Sequence, residues 1–263
     1  MTKEADKGSG TLSCQHDKVP DPLSAFGDKT VPDPILSSAT LYVVATPIGN
    51  LGDLSPRAVE VLASVDAILA EDTRHTRGLL SYAGLHTPLE RFDDVTTAEK
   101  TPQVIARLTS GETLALVSDA GMPAISDPGA PLVAACRDAG VEVVVIPGPS
   151  AAVAALAASG LPTHAYYFAG FPPRKPGKRA KLLDTLEPLG ATLVFYESPQ
   201  RVAKFAAELA TRFPQRTGAL ARELTKLHEE VVRLPLPELA ANLAARPSIK
   251  GECVLLVSPA IKA

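Results

Sequence analysis

Residues 114–147 read LALVSDAGMPAISDPGAPLVAACRDAGVEVVVIP. An unbroken apolar run, Leu114 to Val117, passes into a segment dense in Gly, Pro, Ser and Asp. A helix follows, with Asp127 placed as its N-cap, Pro128 opening it and Gly140 stopping it. A second apolar run then begins at Val141. Apolar strands alternating with helices indicate a parallel sheet covered on both faces, so the fold class is α/β.

The pattern extends upstream. LYVVA (41–45) is a short run of β-formers ended by Pro47 and Gly49, and AILA (67–70) is another buried strand. Between them Ser55-Pro56 opens a helix whose buried face carries Ala58, Leu62 and Val65. Downstream the texture changes at FPPRKPGKRAK (171–181), which is Pro/Gly-rich and basic. Beyond it, ATLVFYES (191–198), a helix from Pro199 to Thr211, TGALARELT (217–225) and GECVLLVSP (251–259) form a second α/β unit with partly antiparallel pairing. Two domains are expected, 40–162 and 163–263. Residues 1–39 are polar, Pro/Gly/Ser-rich and contain VPDP twice, at Val19 and Val31. They read as a disordered leader, or less favourably as a partner-binding tail.

Composition bounds the function. The chain has 263 residues, 46% hydrophobic and 21% charged, with a net charge of −3. That excludes a globally basic nucleic-acid binder and leaves room for a local basic patch. Cys14, Cys136 and Cys253 form no CxxC pair and no metal pattern, so they read as reduced thiols, and no metal is expected. No apolar run is long enough to span a membrane, and the N-terminal region lacks a continuous signal core. A cytoplasmic location follows as the expectation.

Ligands of open α/β sheets bind beyond the carboxyl ends of strands. Three punctuated loops fall there: TPIGNLGD (46–53), SDAGMPAISDPG (118–129) and PGPSAA (147–152). Neither GxGxxG nor GxxxxGK[ST] is present, which disfavours a dinucleotide or a P-loop phosphate. A ligand with few phosphates, held by backbone groups, fits better. Asp119 suits a ribose diol, against the plainer role of capping its own turn. AEDTRHT (70–76), FYESPQR (195–201) and ARELTKLHEE (221–230) each place carboxylates and cations after a strand, which ordinary surface charge also explains. RKPGKRAK (174–181) holds five cations in eight residues, a solvated loop or a contact for a phosphate backbone.

Taken in order, LYVVATPIGNLGDLSPRAVEVL, AEDTRHT, LVSDAGMPAISDPG, IPGPSAAVAAL, SGLP, FAGFPPRK, FYESPQR and ARELTKLHEE resemble the tetrapyrrole methylase superfamily over Leu41–Pro259. Within it they are similar to the small-subunit ribosomal RNA methyltransferases that methylate a cytidine ribose 2′-oxygen. The resemblance implies two α/β domains with S-adenosylmethionine in the cleft between them, a homodimer, and small-subunit RNA or the assembled subunit as substrate. By position, it implies cofactor contacts at Ile48, at Asp119, Ala120, Gly121 and Met122, and at Ser150 and Ala151. It adds Tyr196, Leu224 and Gly251 in the second domain. Asp72, Glu197 and Glu223 are the candidate bases, and Arg74, Arg222 and Lys226 the candidate cations for phosphate or a developing oxyanion. Arg174, Lys175, Lys178 and Arg179 are the candidate RNA contacts. Competing readings are a corrinoid or protein-carboxylate methyltransferase of the same superfamily, and a non-catalytic cofactor-binding module. The chain departs from the resemblance in two places. Where many members carry His-x-His-Asn after the third strand, it has FDDVTT (92–97). It also stops soon after Val257, so RNA contacts made elsewhere by a small C-terminal helical domain are expected to be missing or moved.

Overall fold

The structure, a computed structural model, describes residues 37–260. The leader expected over 1–39 lies almost wholly outside them. Ten strands form two five-stranded sheets among the described residues. The first contains β1 (Thr40–Val44), β2 (Ala67–Ala70), β3 (Leu89–Arg91), β4 (Leu114–Val117) and β5 (Glu142–Ile146). Its order is β3-β2-β4-β1-β5 and every pairing is parallel.

Alternation along the strands divides the first core in two. Leu41, Val43, Leu69, Leu114 and Leu116 pack with α3 (Thr97–Thr109) and α4 (Ala130–Asp138) through Val104, Leu108, Leu132 and Cys136. Tyr42, Val44, Ile68, Ala115 and Val117 face the other way. They meet α1 (Pro56–Ser64) and α2 (Thr73–Ala83) through Ala58, Val61, Leu62 and Leu80. Both faces are therefore buried, which is why these strands read as continuous apolar runs. Local rules set the ends of the helices. Ser55 Oγ accepts the Ala58 N–H at 3.1 Å with Pro56 in the first turn, and Gly84 ends α2 in the left-handed region at φ 70°.

The second sheet contains β6 (Tyr166–Gly170), β7 (Thr192–Glu197), β8 (Thr217–Arg222), β9 (Glu230–Pro235) and β10 (Cys253–Val257), in the order β6-β7-β10-β8-β9. Only β6/β7 is parallel. One face carries Phe195, Leu220 and Leu255 against α6 (Pro176–Leu186), α7 (Val202–Arg212) and α8 (Leu236–Ala244). The other face, with Val194, Ala219, Ala221, Val254 and Leu256, covers Ile48 and the small residues of α5 (Ala151–Ala158). The helix that leaves the first sheet is thus core for the second.

Two expectations need correction. Asp127 does not cap α4: that helix begins at Ala130 after Gly129, with no side-chain cap, and Pro131 rather than Pro128 occupies its first turn. Gly129 sits at φ 124°, a turn that a helix cannot contain. The basic run is also not a loop throughout, because Pro176 opens α6 within it. Arg179 consequently points inward. It is 9% exposed, binds Glu208 Oε2 through Nε at 2.7 Å, and donates to the carbonyls of Pro173 and Arg174. Its guanidinium is committed to holding α6 against α7, so it is withdrawn from the RNA candidates.

A Cβ on Gly129 would approach buried Leu116 Cδ2 to 2.5 Å while occupying a left-handed backbone. Gly129→Ala should lower unfolding stability by about 1–3 kcal/mol in urea titrations. An unchanged midpoint would show that the loop relaxes freely.

Candidate functional site

The loops after β4, β1 and β5 leave three adjacent strands of the first sheet, so their tips stand side by side. Thr46 and Gly121 exchange backbone hydrogen bonds of 2.9 and 3.1 Å, which ties the first two loops together. Thr46 Oγ1 adds a bond to the Ser118 carbonyl at 3.1 Å. Gly121 adopts φ 87°, and a Cβ there would stand 3.3 Å from Ile48 Cγ2. Asp119 Oδ1 accepts the Asp72 backbone N–H at 3.1 Å, bringing the end of β2 into the same assembly.

The second sheet supplies the opposite wall. Because β10 runs antiparallel to β7 and β8, its first residue pairs with the last of each: Cys253 faces both Glu197 and Arg222. Tyr196 reaches across to α5, where its hydroxyl accepts the Ala152 N–H at 3.1 Å. Burial raises the Tyr196 phenol, and Phe168 and Phe171 meet its ring edge-on at 4.9 and 5.5 Å. Gly251, at φ 85°, lets Glu223 approach to where a Cβ would collide with its carboxyl at 2.2 Å.

Between the walls lies a cleft of about 400 Å³. Ile48, Asp119, Ala120, Gly121 and Met122 line one side, with Ser150 and Ala151 beside them. Tyr196, Leu224 and Gly251 line the other. Much of this lining is backbone or small side chain, suited to a flat ligand edge. A second cavity of about 230 Å³ shares Ile48, Asp119, Ala120 and Glu252 with it, and adds His75 and Lys226.

The six charged candidates divide sharply. Glu197 alone lines the cleft; it is 2% exposed, with Oε1 bound by the Ser198 N–H at 2.8 Å and Oε2 3.0 Å from Arg201. Asp72 caps α2 through the Arg74 N–H at 2.8 Å and pairs with the Arg74 side chain, which lowers its carboxyl to about 2. Arg222 binds Glu230 and the Lys250 carbonyl. Glu223 and Lys226 pair at 2.9 Å, and Lys226 also holds Glu252 at 3.0 Å. The Lys226 stem packs on Gly49, and Thr225 Oγ1 accepts the Asn50 N–H at 3.1 Å. The ARELTKLHEE segment thus straps the second sheet to the first loop. Arg174, Lys175 and Lys178 are exposed, just after Phe171 at the cleft mouth. In FDDVTT, Asp93 and Thr96 cap each other reciprocally before α3, with bonds of 2.9 and 3.0 Å.

Glu71, Asp127 and Glu252 also line the cleft and were not assigned to it from sequence. Burial lifts Asp127 to about 6, and the charges of Asp119 and Asp94 push the same way. Glu71 is raised by burial and then by Asp119, Asp127 and Asp94. The available signal for Asp127 was its place on the same loop as Asp119, with a second proline, Pro131, to open the helix instead.

Comparison with known proteins gives a consistent result. Residues 40–240 match the tetrapyrrole (corrin/porphyrin) methylases. A protein of Xylella fastidiosa named ribosomal RNA small subunit methyltransferase I is 50% identical over 226 residues, covering 84% of this chain and 82% of that one. The protein of that name in Vibrio cholerae is 46% identical over 232 residues, covering 88% and 80%. Among solved structures, uroporphyrin-III C-methyltransferase of Thermus thermophilus superposes with a TM-score of 0.59 at 26% identity, covering 84% of this chain and 94% of that one. A complex of that organism's uroporphyrin-III C-methyltransferase with S-adenosylhomocysteine superposes at 0.58 and 18% identity, covering 83% and 96%.

Asp127 gives a test of its placement. A carboxyl raised in the folded state binds more protons folded than unfolded, so its ionisation costs stability as pH rises from about 4 through 6. Asp127→Asn should therefore be more stable than wild type at pH 7.5, by ~1 kcal/mol after allowing for solvent screening, and equal to it below pH 4. Thermal melts at both values check this. A variant less stable at pH 7.5 would show that the ionised Asp127 carboxylate is favourably held in the fold.

Proposed function

We propose a function from one premise: the chain belongs to the tetrapyrrole (corrin/porphyrin) methylase family. It transfers a methyl group from S-adenosylmethionine to RNA of the small ribosomal subunit, at the ribose 2′-oxygen of a cytidine, and it works as a cytoplasmic homodimer. The observation that carries this reading is the single cleft that gathers all ten residues assigned to the cofactor by resemblance. Its volume, about 400 Å³, suits a ligand of nucleoside size.

The residues present fit the cofactor. Bound here, S-adenosylmethionine supplies an electrophilic methyl group on a good leaving group. Positioning and alignment then carry much of the rate. Asp119 has Oδ1 engaged by the Asp72 N–H, which leaves Oδ2 to accept from a ribose hydroxyl. Ala120 and Gly121 present bare backbone, and Tyr196 and Leu224 close the opposite side. A ribose hydroxyl is a weak nucleophile and benefits from a base that takes its proton. Of the three base candidates only Glu197 is a residue that lines the cleft, so we assign the role to it, with Arg201 paired to its carboxyl. Asp72 caps α2 with Arg74 on its carboxylate, Arg222 joins β8 to β9 through Glu230, and Lys226, paired with Glu223, packs on Gly49 of the first loop. At the mouth, Phe171 offers an exposed ring, and Arg174, Lys175 and Lys178 offer cations to a phosphate backbone.

The test is incubation with methyl-labelled cofactor and either small ribosomal subunits or naked RNA. Label should appear in ribose of small-subunit RNA, and Glu197→Gln should slow transfer by ~100-fold or more with cofactor affinity retained. Absence of label from every RNA would defeat the reading. A second prediction concerns the rim: replacing Arg174, Lys175 and Lys178 by Ala should weaken RNA binding and flatten the log K against log salt slope by about 2. An unchanged slope would place the RNA elsewhere.

A further inference from the structure

The cleft is electrically one-sided. Five acidic residues line it (Glu71, Asp119, Asp127, Glu197 and Glu252), and no Lys, Arg or His does. Two of the five are neutralised from behind, Glu197 by Arg201 and Glu252 by Lys226. Glu71, Asp119 and Asp127 form no ion pair among the described residues, and all three stand at the first-sheet wall. Asp119 is held in place by the Asp72 N–H, and Asp127 by the loop that Gly129 turns. Across the cleft stand Tyr196 and Phe171.

Half-buried carboxylates facing one another repel, and burial penalises their charged forms. The raised protonation of Glu71 and Asp127 is the consequence. A neutral ligand leaves that repulsion in place and removes water that screens it. A cation seated among the three relieves it.

We infer that Glu71, Asp119 and Asp127 make the cleft select a cationic sulfonium ligand over its neutral thioether product, with Asp127 as the chief specificity residue. This rests on the cofactor reading given above and goes beyond it. S-adenosylmethionine and S-adenosylhomocysteine share every group that the bare backbone and Tyr196 can touch; they differ by one methyl and one positive charge. Contacts to the shared groups hold both equally. The acidic wall holds only the charged one, so the attraction that loads the cleft is gone once the methyl has left, and the product is free to exchange.

Calorimetric titration of the full chain with three ligands tests this: S-adenosylmethionine, S-adenosylhomocysteine, and sinefungin, which carries an amine cation and no transferable methyl. Wild type should bind both cations at least ~10-fold more tightly than the neutral thioether. Asp127→Asn and Glu71→Gln should each reduce that preference by about three- to tenfold, through weaker cation binding, while thioether affinity stays the same or improves. Retained thioether binding also reports that each variant is folded. Equal affinity of wild type for charged and neutral ligands, or an unchanged ratio in both variants, overturns the selection alone. Failure of all three ligands to bind wild type overturns the cofactor reading as well.

Discussion

The paired backbone hydrogen bonds between Thr46 and Gly121 hold the loop after β1 to the loop after β4. Everything on the first-sheet side of the cleft depends on that contact. It requires a residue at φ 87°, which glycine supplies at low cost. It sets Ile48 down beneath the second sheet, where Ile48 joins Ala155, Val194 and Val254 in one core cluster. It also aims Asp119 at the start of α2, whose first free N–H groups are shared between Asp119 and Asp72. Three strand ends are thereby fixed relative to one another by a few hydrogen bonds.

The second sheet meets this frame at two kinds of contact. One is apolar, the seat of Ile48 and α5. The other is polar and runs along the cleft edges: the Tyr196 hydroxyl on the Ala152 N–H, the Asn50 N–H on Thr225, and Lys226 over Gly49. Glu223 and Thr225 hold positive φ, at 52° and 66°, in the strap that makes the polar contacts. Such backbone is uncommon for non-glycine residues and persists where surrounding structure fixes it. The ions in that segment serve the frame, so charge density alone was a poor guide to which residues face a ligand.

Much of this was legible in the sequence, for physical reasons. Strands buried on both faces must be apolar, and β2 and β4 are throughout, with β1 departing only at Thr40. The three punctuated loops betray themselves by Gly and Pro, and all three reach the cleft. The edge strands β3 and β9 were not read from the residues. β3 is only Leu89–Arg91 and half exposed, and β9 carries Glu230, Arg233 and Pro235 among its apolar positions. Asp127 was misplaced because Asp-Pro resembles a cap, while Gly129-Ala-Pro131 makes the actual start. Arg179 was misread because a basic run gives no sign of which cation turns inward. Its partner Glu208 lies on α7, 29 residues away in sequence.

A crystal structure of the chain with S-adenosylhomocysteine tests most directly whether the cleft between Gly121 and Tyr196 is the cofactor site. The ligand should lie in that cleft, with its ribose at Asp119 and its body against Ala120–Met122 and Leu224. Ligand density elsewhere on the protein, with that cleft vacant in the same crystals, would contradict that placement.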